Sequence, residues 1–497
     1  MSPDHVDVLI IGAGLSGIGA ARHLLAKSPG KSYAILEARD TIGGTWDLFR
    51  YPGIRSDSDM YTLGYDFKPW TEAKAIADGP SILEYVREAA REAGIDEHIR
   101  FGHRVVRTAW STADARWLVE ATRADTGQTV QLTCDFLFSC SGYYRYDQGY
   151  TPAFPGTEQF AGQIVHPQLW PEDLDYAGKR VVVIGSGATA VTLVPAMARD
   201  AAHVTMLQRS PSYIMALPAM DPIANGLRRV LPAKAAYVVA RWKNVLLAMA
   251  QYQLSRRRPG VLKALIRKLV SMQLPDGYDV DTHFKPSYDP WDQRLCLVPN
   301  GDLFKAISGG SASVVTDHIQ TFTPTGIRLA SGEELEADIV VTATGLELLA
   351  FGGIELVVDD RTVDLAETVT YKGLMLSDVP NFAFVVGYTN ASWTLKADLA
   401  CSYVCRLLGH MDARGYQQCA PRYREATPAA EPFLDFSSGY VQRALHRFPK
   451  QGASEPWKLR QNYVRDLRTL RRGELEDGAL QFTPRRPAAE PAEPVAV

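Results

Sequence analysis

Gly12-Ala-Gly14-Leu-Ser16-Gly17 and Gly185-Ser186-Gly187-Ala188-Thr189-Ala190 are the two stretches whose residue types and spacing most directly imply a chemistry. Each follows an apolar run, Val8 to Ile11 in the first case and Arg180 to Ile184 in the second, and each leads into a helical pattern. A strand, a tight turn and a helix N-terminus in that order aim backbone N–H groups and the helix dipole at an anionic pyrophosphate. The first glycine permits the turn, the second lets phosphate approach the backbone, and the third lets helix and strand pack. Ala190 takes the third glycine's place in the second motif, a change compatible with dinucleotide binding.

The next strand separates the two sites. Glu37 ends the run Tyr33 to Leu36, twenty residues beyond Gly17, where a carboxylate holds both ribose hydroxyls of an adenosine that has no 2'-phosphate. At the matching place after His203 to Leu207 the chain reads Gln208-Arg209-Ser210. Arg209 there is either a bidentate partner for a 2'-phosphate or a solvated surface arginine. Gly43-Gly44-Thr45-Trp46 adds a second flexible run able to pass close to a flavin. These features assign FAD to the first motif and NADPH to the second, so that hydride passes from NADPH to flavin.

Disulfide reductases share that plan but keep a cysteine pair beside the flavin. Cys134, Cys140, Cys296, Cys401, Cys405 and Cys419 contain no C-x-x-C pair and none lies near a glycine motif. Electrons therefore leave by another route, and O2 is the simplest acceptor; no metal site is expected from this cysteine spacing.

The stretch Phe160-Ala-Gly162-Gln-Ile-Val-His166-Pro-Gln-Leu-Trp170-Pro171 resembles the fingerprint of type I Baeyer-Villiger flavin monooxygenases. In that family the fingerprint is tied to domain movement and active-site assembly, whereas residue chemistry alone also allows His166 to be a satisfied core histidine. Gly43 to Asp59 is similar to the family's flavin-facing loop. The resemblance implies FAD contacts from Ser16, Gly44, Thr45, Trp46, Asp47 and Asp57, and from Val105 through its backbone. It implies NADPH contacts from Arg55, from Gly185 to Ala190, and from Arg209 and Ser210. It also places Asp57 near flavin and nicotinamide and Arg294 beside the flavin, with Arg50 and Arg55 as rival arginines. Family members commonly carry Lys-Arg at that last point, where this chain has Gln293-Arg294.

The implied activity is insertion of one oxygen atom of O2 into a ketone, through an adduct at the flavin C4a position, or its transfer to sulfur. Phe49 to Asp59, Pro290 to Leu295 and Gly387 to Trp393 resemble a bacterial subgroup that oxidises thioamide and thiourea-type compounds.

The elements that must position these residues read as an α/β chain with two Rossmann-like units. Residues 1–145 and 346–483 form the FAD unit and 146–345 the NADPH unit, joined through Asp135 to Gly142 and Asp338 to Gly345. Further strands are expected at Thr368 to Tyr371 and Phe382 to Val386, and a helix from Thr394 to Met411. A helical insertion over about 220–274 interrupts the second unit at Pro222, Pro232 and Pro259. It holds eleven basic residues against one acid, Asp221, and reads as a solvated face or as a surface resting on anionic lipid. The tail 484–497, rich in Pro, Ala and Glu, is expected to be disordered.

With 497 residues, 46% of them hydrophobic, the chain can bury a large core, and its formal charge of -3 gives no global attraction to nucleic acid. The strand begins without a preceding leader pattern, which leads us to expect a cytoplasmic protein. Arg241 and Lys243 interrupt the best candidate for a spanning helix.

Overall fold

The computed structural model describes residues 4–293, 295–424, 431–434 and 436–485. Strand Asp4–Ile11, which carries the first glycine motif at its C-terminal end, lies inside a nine-stranded sheet. It pairs in parallel with Tyr33–Leu36, Val8 opposite Tyr33, and with Thr129–Ser139, Leu9 opposite Leu137. Near-continuous apolar sequence is what a strand covered on both faces requires. On one side Thr129–Ser139, Arg116–Arg123 and His103–Ser111 form an antiparallel meander, closed by Glu355–Val358 alongside His103–Ser111.

A second sheet has five parallel strands in the order Ala312–Thr316, His203–Gln208, Arg180–Ile184, Ile339–Thr342, Gln163–Val165. The glycine-motif strand is again internal, so both motifs open at the C-terminal ends of parallel strands, where ligands bind in such folds. The chain crosses from the first sheet after Ser139 and returns after Thr342, and the two crossings run side by side. Tyr150 N donates to Gly345 O at 3.1 Å and Leu349 N to Tyr143 O at 2.9 Å.

Three expectations change. Thr370–Tyr371 forms a hairpin with Met375–Leu376 outside the large sheet, whose margin is instead the unforeseen pair Glu355–Val358 and, at the edge, Arg361–Thr362. Pro484 ends a strand, Leu480–Pro484, paired with Tyr416–Pro421; residues 486–497 lie outside the described residues.

The third change concerns the insertion, which forms helices Pro222–Val230, Ala233–Arg257 and Pro259–Ser271. Its prolines stand at helix starts, where a missing N–H costs nothing. Ala224, Tyr237, Ala240 and Val245 join the core of the first half, whereas Leu262, Ile266 and Val270 join that of the second. Arg241 is no surface base: it is 6% exposed and donates to the carbonyls of Tyr61 and Gly64 at 2.8 and 2.7 Å. Its Nη2 lies 3.3 Å from Asp398, which also faces His23, so the guanidinium is the cation of that buried cluster. Lys243, Arg256, Lys263 and Arg267 pair with Asp221, Asp292, Asp289 and Asp281.

Candidate functional site

A cavity of about 620 Å³ opens between the two sheets. Its wall contains Gly12, Gly14, Ser16, Glu37, Gly44, Thr45, Trp46 and Val105 from the first half and Ala188 and Thr189 from the second. Arg55 and Asp57 reach it from the loop between them. Twelve residues singled out from sequence therefore share one space although the chain separates them by up to 177 positions.

The wall is shaped for phosphate and ribose. Gly12 adopts a φ of 100°, and a Cβ there would lie 2.8 Å from Cys140 O, so no other residue makes this turn at that distance from the crossing segment. Helices Leu15–Lys27 and Ala188–Met197 both start without a side-chain cap, leaving their first N–H groups for an anion. Glu37 Oε2 accepts Ala13 N at 2.7 Å and Oε1 accepts Arg39 N at 2.9 Å. Burial pushes its carboxyl above the usual range, and those two backbone donors pull it back. Arg39, also on the wall, keeps a buried Nε–H without a partner. Uncapped helix ends, a held carboxylate and an orphaned cationic donor fit a dinucleotide.

The loop from Leu48 to Arg55 belongs by sequence to the first half but packs on the second. Leu48, Phe49 and Tyr51 join the second core, and Arg55 pairs with Asp302 while its Nη2 lies 3.5 Å from Val191 O. Burial pushes the Tyr51 phenol far above its usual range, with Thr189 bonded to its hydroxyl. Above the first motif, Trp393 Nε1 donates to Ser16 Oγ at 2.7 Å and its ring stacks on Tyr143, 5.3 Å between centroids. Sequence reasoning missed Arg39, Tyr143 and Tyr144 on this wall and held Tyr51 only as part of the Gly43 to Asp59 loop; the tyrosine pair directly after Gly142 was the available signal.

Other singled-out residues stand elsewhere. Gly17 is buried beneath the turn, and Ala190 is buried in the second core. Gly185, Ser186, Gly187, Arg209 and Ser210 line the second motif outside the cavity, with Ser186 Oγ 3.1 Å from Ser210 O and the Arg209 side chain exposed. Asp47 is not on the wall; it is 2% exposed and held by Arg39, Arg50 and Arg87. Arg50 is on the outside, paired with Glu172. Arg294 lies outside the described residues.

In the fingerprint, Phe160 packs on Phe322 and a Cβ at Gly162 would lie 2.3 Å from Asp338 O. Trp170 is packed against the second core and Pro171 is exposed. His166 is off the cavity, below the crossing segments, where burial lowers its ring below the ordinary histidine value and the carbonyls of Gly345 and Tyr150 raise it.

Comparison with known proteins agrees with this geometry. The chain is 57% identical over 486 residues to the FAD-containing monooxygenase EthA of Mycolicibacterium smegmatis, the match covering 98% of each. A solved structure of oxidized steroid monooxygenase bound to NADP superposes with a TM-score of 0.76 at 23% identity, over 97% of this chain and 100% of that one. Cyclohexanone monooxygenase from Rhodococcus sp. Phi1 bound to NADP+ gives 0.69 at 21% identity, over 84% and 87%. The family described as flavin-binding monooxygenase-like matches residues 5–372, and the chain belongs to it.

Proposed function

We propose that this flavin monooxygenase holds FAD and NADPH in the two halves of one cavity and inserts an oxygen atom of O2 into ketones, giving esters or lactones, and also oxygenates sulfides and thioamides. The supporting observation is the single cavity walled by both glycine-motif units and by the Arg55–Asp57 loop. When bound, the two cofactors supply the electrons and activate the oxygen.

The chain's own residues bind, orient and exclude water. Gly12, Gly14 and the helix N-terminus beyond them take the FAD pyrophosphate, Glu37 accepts the ribose hydroxyls, and Val105 meets the adenine through its backbone. The N-terminus of Ala188–Met197 takes the NADPH pyrophosphate, and Arg209 with Ser210 takes its 2'-phosphate. Arg55, tied to Asp302, holds the loop from Tyr51 to Asp57 against the second half, so that Asp57 is carried to the cavity. Tyr51, Tyr143, Tyr144 and Trp393 give an apolar wall that keeps water from the reacting atoms. Arg294 supplies fixed positive charge where oxyanion charge develops, because a guanidinium does not lose its proton.

The test is NADPH oxidation by FAD-loaded protein with phenylacetone, 2-octanone and thioanisole, products and H2O2 measured together. Ester from the ketones with little peroxide supports the proposal, and Arg294→Ala should then oxidise NADPH to NADP+ and reduce O2 to H2O2 without forming ester. Sulfoxide alone restricts the enzyme to sulfur, and peroxide alone makes it an oxidase.

A further inference from the structure

Fourteen of the eighteen large hydrophobic side chains exposed among the described residues lie between Met220 and Met272, in the helical insertion. A helix that covers one core needs one apolar stripe. Pro259–Ser271 has two: Leu262, Ile266 and Val270 are buried, while Val261, Leu265 and Leu269 repeat the same four-residue spacing on an exposed face. Ala233–Arg257 repeats the pattern. Tyr237, Ala240, Arg241 and Val245 point inward, and Val238, Trp242 and Leu246, again four apart, are exposed beside Val239 and Leu247. Exposed apolar surface concentrated in this way marks an interaction face.

The charges say what it meets. Asp221, the one acid between 220 and 274, is taken by Lys243. The four other ion-paired bases of the insertion, Arg241 included, are also satisfied, and half-buried Arg228 donates to the carbonyls of Thr71 and Glu72, which leaves Arg229, Lys234, Arg257, Arg258 and Lys268 exposed with no ion pair among the described residues. We infer that this face rests on an anionic membrane surface, its apolar side chains in the boundary between headgroups and acyl chains and its five cations on lipid phosphates. Apolar side chains interleaved with unpaired cations are the two terms that hold a helix in that plane. A second copy of the chain fits poorly, because a two-fold contact sets each patch on itself and brings five cations to five cations, the insertion's one acid, Asp221, being already taken by Lys243. Among the described residues no helix is long and apolar enough to cross a membrane, so the contact is peripheral.

The experiment is flotation of full-length, FAD-loaded protein with phosphatidylcholine vesicles, with and without phosphatidylglycerol, at low and high salt. The gradient position is read independently of turnover. Wild type should float only with phosphatidylglycerol present, and less at high salt. Arg257→Gln/Arg258→Gln should lower the partition coefficient roughly 30-fold, about fivefold per cation removed, and Leu246→Glu/Leu247→Glu should abolish it, with flavin content and NADPH oxidation unchanged in both. No flotation with phosphatidylglycerol at low salt, or equal flotation of wild type and the arginine variant, overturns the inference. So does a dimeric mass in solution that Leu246→Glu/Leu247→Glu reduces to one chain, which makes the face a contact between copies.

Discussion

His166 Nε2 lies 3.2 Å from the carbonyl oxygen of Gly345, while its Nδ1 accepts the backbone N–H of Gln168 at 3.2 Å. The ring is therefore neutral, with its proton on Nε2 and donated to the return crossing. A Cβ at Gly149, on the outward crossing, would sit 1.9 Å from His166 Cε1, so the ring lies flat against that backbone as well. One histidine thus touches both crossing segments that join the two sheets, which accounts for its place in the fingerprint without any proton transfer to substrate.

That arrangement has a pH signature. Burial depresses the His166 ring below the ordinary value of 6.5, so the folded chain prefers it neutral. Its contribution is complete above that ordinary value and is lost as pH falls through the depressed one. The thermal midpoint of wild type should accordingly drop more than that of His166→Asn between about pH 7 and pH 5; parallel curves would remove this role. Gly149→Ala should lower the midpoint at all pH values, because the ring has nowhere to move.

Glu37 presents a trade between stability and binding. Its carboxylate is buried and its carboxyl raised, so charge at this position costs the empty protein stability at neutral pH. Glu37→Gln removes that charge but also turns one of the acceptors of Ala13 N and Arg39 N into a donor, so the apoprotein should lose no more than about 1–2 kcal/mol, while FAD affinity, measured by fluorescence titration, falls about tenfold or more for loss of charged acceptors to ribose hydroxyls. Unchanged affinity would place the adenosine elsewhere.

Arg209 is exposed just past the end of its strand, open to the 2'-phosphate proposed for it. Arg209→Ala should raise KM for NADPH roughly tenfold to a hundredfold and leave KM for NADH nearly unchanged, the loss being one charge-assisted bidentate contact. Equal effects on both coenzymes would mean a structural arginine.

Breaking the Arg241–Asp398 pair leaves the buried carboxylate beside His23 and the Asp66 N–H but without its guanidinium. Arg241→Met should cost about 3–5 kcal/mol in urea unfolding, and Arg241→Met/Asp398→Leu should recover much of it. If the single variant unfolds like wild type, the insertion is not held to the first half by this pair.

The glycine turns and the place of Glu37 beside them were legible because the pattern is local: a strand, a turn and a helix end lie within about thirty residues, and the residue ending the next strand follows at fixed distance. Helix Trp393–Arg414 and the insertion were legible from periodicity, with errors of a few residues at their ends. Arg39 was not, since an orphaned Nε–H exists only once Asp47 has taken the rest of the side chain.

Arg241 shows the boundary most clearly. In sequence it is one of eleven bases in a helical stretch, and nothing near it says that it turns inward. Asp398 stands 157 residues away and the carbonyls of Tyr61 and Gly64 about as far in the other direction. Burial of a charge depends on partners gathered by packing, and such partners leave no pattern in the neighbouring residues. The sequence by itself determined the two nucleotide folds, the choice of family and the excess of base in the insertion. Only the tertiary structure decided which bases remain free at the surface, which loop residues meet in one cavity, and that His166 serves the crossings between the sheets.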